Sequence, residues 1–102
     1  MKQIIEGRLY DTETADELGD YAYSHRSDFY SWSETLYRTK AARYFIAGEG
    51  GPLSKYARSC GQGETAGGEG IRIVTEAEAR EWMEEYADAD AYIAAFGEPE
   101  GA

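Results

Sequence analysis

The chain has 102 residues, 42% of them apolar and 29% charged, which is the composition of one globular domain and not of a disordered segment. A net charge of −10 disfavours direct binding to DNA or to an anionic membrane and favours a basic protein partner. Cys60 is the only cysteine and His25 the only histidine, so an internal disulfide and a zinc site of several Cys or His ligands are excluded.

In chain order, "QIIEGRLY" reads as a first strand with Ile5, Gly7 and Leu9 on one side. "DTET" at 11–14 is rich in turn formers and closes a hairpin onto "ELGDYAYS", which places Tyr21 and Tyr23 on one face. "HRSD" at 25–28 is a loop. "FYSWSETLYRT" then alternates, with Tyr30, Trp32, Glu34, Leu36 and Arg38 opposite Phe29, Ser31, Ser33, Thr35 and Tyr37. "TKAA" turns the chain into "RYFIAG", where Tyr44 and Ile46 oppose Arg43, Phe45 and Ala47. Residues 48–70 hold most of the glycines around "LSKYARSC" and predict a long connection, mobile or functional. "IRIV" at 71–74 is a fifth strand.

The end is helical. Thr75 and Glu78 fit a capping box, and Ala79, Trp82, Met83 and Tyr86 form one apolar stripe. Asp88 caps a second helix whose stripe is Ala89, Tyr92, Ile93 and Phe96, stopped by Gly97. The predicted fold is α+β: an antiparallel sheet of about five strands followed by two short C-terminal helices packed on one face. Residues 1–97 are expected to form one compact domain, and 98–102 a frayed tail. The first residues lack a signal-type apolar region, and no stretch reaches the length of a membrane span, so a cytoplasmic bacterial protein is expected, without membrane association.

Little in the sequence points to catalysis. "GQGETA" has dinucleotide-type glycine spacing but does not follow a strand and open a helix. "GEGGPLSK" lacks the Gly-Lys-Ser/Thr order of a phosphate loop, and Asp88 and Asp90 lack the remaining EF-hand spacing. A Cys60–His25 dyad would require the two to meet in space. No pair of carboxylates is singled out by its neighbours, Glu49 inside "GEGG" being the least ordinary. No enzyme activity, cofactor or metal is expected.

The charge is instead concentrated. Residues 75–102 carry nine acids and one base, Arg80, whereas 41–74 are nearly neutral. On the first helix Glu78, Glu81 and Glu85 share an outer face that Asp88 continues and Glu84 flanks. Like charges at that spacing cost a few tenths of a kcal/mol per pair, a cost that folding does not require. Asp11, Glu13, Asp16, Glu17 and Asp20 add a second acidic patch on the first expected hairpin, with Asp16, Glu17 and Asp20 as its candidate partner-binding residues. A solvated helix face is the plain explanation. A row of carboxylates replacing phosphates in a basic groove is the functional one.

The stretches "YDTETA", "LYRTK", "YFIAGEGGPLSKYA" and "TEAEAREW" together resemble a group of small acidic proteins of bacteria and their mobile genetic elements. Part of that group is associated with anti-CRISPR activity. The resemblance spans nearly the whole chain but supplies no motif of functional residues. It implies a monomeric inhibitor that mimics DNA and binds a DNA- or PAM-recognition surface of a CRISPR–Cas effector, itself binding no nucleic acid. The rival expectation is a general interaction module of a mobile element that uses an aromatic sheet face of Tyr21, Tyr23, Tyr30, Trp32 and Tyr44. An enzyme with a site in the glycine-rich loop is third.

Overall fold

In a computed structural model describing residues 1–24 and 28–102, the chain runs β1 (Lys2–Ile5), β2 (Arg8–Asp11), β3 (Asp16–Tyr23), β4 (Trp32–Arg38), β5 (Tyr44–Gly50), β6 (Arg58–Gly61), β7 (Glu64–Ala66), β8 (Gly68–Val74), α1 (Glu76–Tyr86) and α2 (Ala89–Phe96). Strands β3, β4, β5 and β8 form the main antiparallel sheet, in that order. β1–β2 and β6–β7 are separate hairpins. The helices pack on one face of the sheet, so the fold is α+β.

One face of the sheet presents Leu36, Tyr44, Ile46 and Val74 to Ala79, Trp82 and Met83 of α1. The other face presents Phe45 and Ile71 to Tyr10 of the first hairpin, with the Tyr10 ring edge-on to Phe45 at 5.5 Å. Leu36, Phe45, Ile46 and Met83 are the largest fully buried apolar side chains. At about 1.5–3 kcal/mol each, they supply much of the cohesion of this small core.

Four expectations are corrected. "DTET" does not close a hairpin onto "ELGDYAYS": β2 pairs with β1 and β3 with β4, so these residues link two separate sheets. "QIIEGRLY" is not one strand. Glu6 and Gly7 both have positive φ, 53° and 77°, the backbone of a tight hairpin turn. The chain therefore folds back within the segment, with Ile5 and Tyr10 inward and Ile4 and Leu9 exposed. The sheet strand "FYSWSETLYRT" begins only at Trp32, because residues 28–30 form a turn. The 48–70 segment is not one long loop: it holds the end of β5, the β6–β7 hairpin and the start of β8.

The helix ends follow the sequence. Thr75 and Glu78 make the reciprocal capping box, and Asp88 accepts a hydrogen bond from the Ala91 N–H at 2.8 Å. Gly97, at φ 88°, stops α2. The α2 stripe is rotated from the expected one: Ala91, Tyr92, Ala95 and Phe96 face the sheet, while Ala89 and Ile93 are exposed. Arg38 contributes to this placement by donating to the Ala95 carbonyl at 2.8 Å.

Candidate functional site

The helix side of the sheet is covered by two structures that meet over one residue. α1 lies over Leu36, Ile46 and Val74. Beyond it, residues 51–57 form a strap across the end of the sheet. Gly51 N–H and Leu53 N–H donate to the Ser31 and Phe29 carbonyls, at 2.9 and 2.8 Å. Glycine makes the strap possible. A Cβ on Gly48 would collide with the Tyr56 ring, one on Gly50 with Ser54, and one on Gly51 with the Asp28 and Phe29 carbonyls.

Glu34 of β4 lies at the junction and is 1% exposed. Its cross-strand neighbour is Gly48, whose missing side chain leaves the space that Tyr56 fills. Glu34 accepts hydrogen bonds from the Tyr56 hydroxyl, from Trp82 Nε1–H at 2.9 Å and from Arg72 at 3.3 Å, and Lys55 Nζ stands 3.1 Å away. Lys55 also lies 3.6 Å from the centre of the Trp32 ring, a cation–π contact. Burial pushes the Glu34 pKa up, but the hydrogen bonds from Tyr56, Trp82 and Lys55 outweigh it and hold the carboxyl below its ordinary range. The Tyr56 hydroxyl is pushed well up, first by burial and then by its bond to Glu34. Glu34 thus ties strap, sheet and helix together as an ionised, fully partnered carboxylate.

Outside this junction stand the predicted acids. Glu78, Glu81, Glu84, Glu85 and Asp88 are all exposed. Glu78, Glu81 and Glu85 line a trough of about 230 Å³ whose floor includes Trp82 and Ile46 and whose far side holds Lys55 and Arg72. Glu84 and Asp88 line a different cleft, between α1 and α2. Two of the five have structural duties. The Glu78 carboxylate accepts the Thr75 N–H, and that bond lowers its pKa; Asp88 is the α2 cap. Arg80 is turned away from the row, bonded to Glu76 and Tyr92 and stacked over Phe96.

The second acidic patch does not join the first. Asp16, Glu17 and Asp20 lie on β3, an edge of the sheet. Their pairing with Tyr37 and Thr35 puts Glu17 and Asp20 on the face away from the helices. Asp16 pairs with Lys40 at 2.9 Å, whose hydrogen bond lowers its pKa. Such charges suit an edge strand, where they discourage pairing with another chain.

No protein-family model, curated protein or solved structure matches the chain. The site therefore rests on its own geometry.

The aromatic face is also rearranged. Tyr44 is a core residue, packed on Phe96 at 5.8 Å. Tyr21 lies between Trp32 and Tyr86, and Tyr23 stacks on Trp32 at 6.0 Å. Tyr30 stands in the turn before β4. Tyr21 and Trp32 wall the end of α1 at Tyr86, Tyr23 stacks outside them, and Tyr44 is withdrawn from the surface. Glu49 is exposed on β5 with Glu69 as its cross-strand partner. Cys60 is exposed on β6, and His25 lies outside the described residues. Among the described residues, no group of three or more His, Cys, Asp or Glu could hold a metal ion. Among the described residues, no helix is long and apolar enough to cross a membrane.

The junction at Glu34 was missed by sequence reasoning. Its signal was present: a lone acid on the apolar face of an otherwise well-patterned strand, in the row that also holds Trp32 and Leu36.

Proposed function

We propose that the protein is a non-enzymatic inhibitor of the bacterial cytoplasm, monomeric and without cofactor, that presents the α1 carboxylates to a basic nucleic-acid-reading surface of a partner protein. The observation that carries this is spacing. Glu78, Glu81 and Glu85 are exposed along one face of α1, with Glu84 on the neighbouring flank. At a rise of about 1.5 Å per residue that face carries one negative charge per ~5 Å. One nucleic-acid strand carries a charge per ~3.4 Å and a duplex one per ~1.7 Å. The row approaches the charge spacing of a single strand and is well below that of a duplex. Its capping box and buried Trp82 hold it in place before binding, so little ordering remains to oppose association. Lys55 and Arg72 beside the row are balanced in part by Glu34, to which both are bonded.

The resemblance to a group of small acidic proteins, part of which is associated with anti-CRISPR activity, makes a CRISPR–Cas effector, at the surface that reads the PAM or target DNA, the partner to test. Reversing Glu81 and Glu85 to Lys should change stability by only about 0.5 kcal/mol and abolish binding to the purified effector. Wild-type affinity should fall steeply as salt rises, and target DNA should compete. Normal binding by the double variant, or affinity indifferent to salt, refutes the reading. A second reading is favoured by the exposure of Tyr23 and Tyr30, 38% and 45%: a salt-resistant contact through this aromatic end of the sheet, which Tyr23→Ala would weaken.

A further inference from the structure

Helix α2 has a composition at odds with its exposure. In ADAYIAAF only Asp90 is charged, yet none of its residues is fully buried. A helix apolar around nearly its whole circumference is ordinarily covered on all sides. Here one face packs on the sheet side, and Ile93, which the spacing assigns to the core, is 39% exposed. Beside it a cleft of about 350 Å³ opens between the two helices. Met83, Ala87, Tyr92 and Ile93 give it an apolar lining, and Glu84 and Asp88 supply carboxylates at its margin.

We propose that this cleft docks a basic amphipathic peptide segment of a partner protein. One aliphatic or aromatic side chain seats between α1 and α2, and flanking Lys or Arg side chains meet Glu84 and Asp88. Charge complementarity selects this occupant. A second copy would bring the same carboxylates to the same rim and add its own net charge of −10. The apolar lining asks for a side chain that charge alone does not provide, and an apolar anchor ringed by polar contacts is how compact docking sites concentrate their affinity. The cleft lies on a different flank of α1 from the trough of Glu78, Glu81 and Glu85, so the inference stands apart from the nucleic-acid-mimic reading.

The test uses the full chain and a short synthetic peptide with Leu at i, i+3, i+4 and i+7 and Lys elsewhere. Amide NMR should place the shifts on residues 83–99, and replacing the peptide leucines by Ser should weaken binding at least about tenfold. Ile93→Ser should weaken it to a similar degree, while Ala94→Ser, on the same helix outside the cleft, should bind as wild type. Glu84→Gln with Asp88→Ser, which keeps a capping oxygen, should weaken binding most at low salt. Glu81→Lys with Glu85→Lys should still bind through the apolar anchor. The proposal is overturned if the peptide fails to bind or shifts residues elsewhere, or if Ile93→Ser or the serine peptide binds normally. It is also overturned if the wild-type chain sediments as a dimer that Ile93→Ser dissociates.

Discussion

Replacing Glu34 by Gln removes one charge from the junction of strap, sheet and helix and almost no volume. In wild type the carboxylate partners Tyr56, Trp82, Lys55 and Arg72. Glutamine can still accept from Trp82 and bond to Tyr56, so those two groups stay satisfied. Lys55 and Arg72 lose their counter-charge, but their side chains are 44% and 52% exposed and regain water. Hydrogen bonds to charged groups contribute about 1.5–3 kcal/mol each, and one-sided removal of a buried ion-pair partner costs about 3–5 kcal/mol. Partial hydration of both cations brings the expected loss to about 2–3 kcal/mol. Glu34→Leu strands the Trp82 N–H and Tyr56 hydroxyl as well and should reach about 3–5 kcal/mol. The loss should depend on pH in a defined direction. Because the folded carboxyl has a pKa below its ordinary value of 4.5, the unfolded chain takes up the proton first. The charge-dependent part of its stabilisation is therefore complete above 4.5 and fades as pH falls through the folded pKa. Urea unfolding of both proteins, followed by far-UV circular dichroism from neutral to acid pH, measures the gap. A gap near zero at neutral pH, or one that does not narrow on acidification, refutes the account of Glu34 as an ionised hub.

The strap makes its own demand. Gly48→Ala places a methyl group against the Tyr56 ring and should cost about 1–3 kcal/mol, whereas Gly70→Ala, with nothing within 4 Å, should stay within about 0.5 kcal/mol; thermal denaturation of the pair distinguishes them. At the start of α2, Asp88→Ala should lose about 0.5–2 kcal/mol and Asp88→Ser much less, read from the same melts.

Where local chemistry decides structure, the sequence was legible. Thr75 with Glu78, Asp88 and Gly97 mark the helix limits through contacts within a few residues, and the alternation from Trp32 to Arg38 sorts those side chains to their faces. Other features depended on contacts that local patterning does not reveal. Gly48, Gly50 and Gly51 look like loop residues until Tyr56, Ser54 and the Asp28 and Phe29 carbonyls are seen pressed against them in turn. In β3 a bulge between Glu17 and Gly19 turns both Leu18 and Gly19 to the helix side, which strict alternation cannot anticipate. The α2 stripe is ambiguous because almost every residue of that helix is apolar, so spacing alone could not choose between Ile93 and Ala95. The positive-φ turn at Glu6–Gly7 was missed because Glu is an unusual first residue for it. Of the candidate site, exposure of the α1 acids followed from their spacing opposite Ala79, Trp82 and Met83, whereas the neighbouring cations Lys55 and Arg72 came from other elements.

The partners of Glu34 also bear on how the chain is made. Tyr56, Arg72 and Trp82 follow it by 22, 38 and 48 residues. During synthesis at about 5–20 residues per second, Trp82 emerges roughly 2–10 seconds after Glu34. Until then β4 and β5 can pair, but their helix-side face has no cover and the carboxylate no full set of donors. Closing that face early would bury an unsatisfied charge, so the acid holds it open to water until α1 arrives. The nascent chain spends that interval with Leu36 and Ile46 uncovered, and the charges of β3 then keep its edge from pairing with a neighbouring chain.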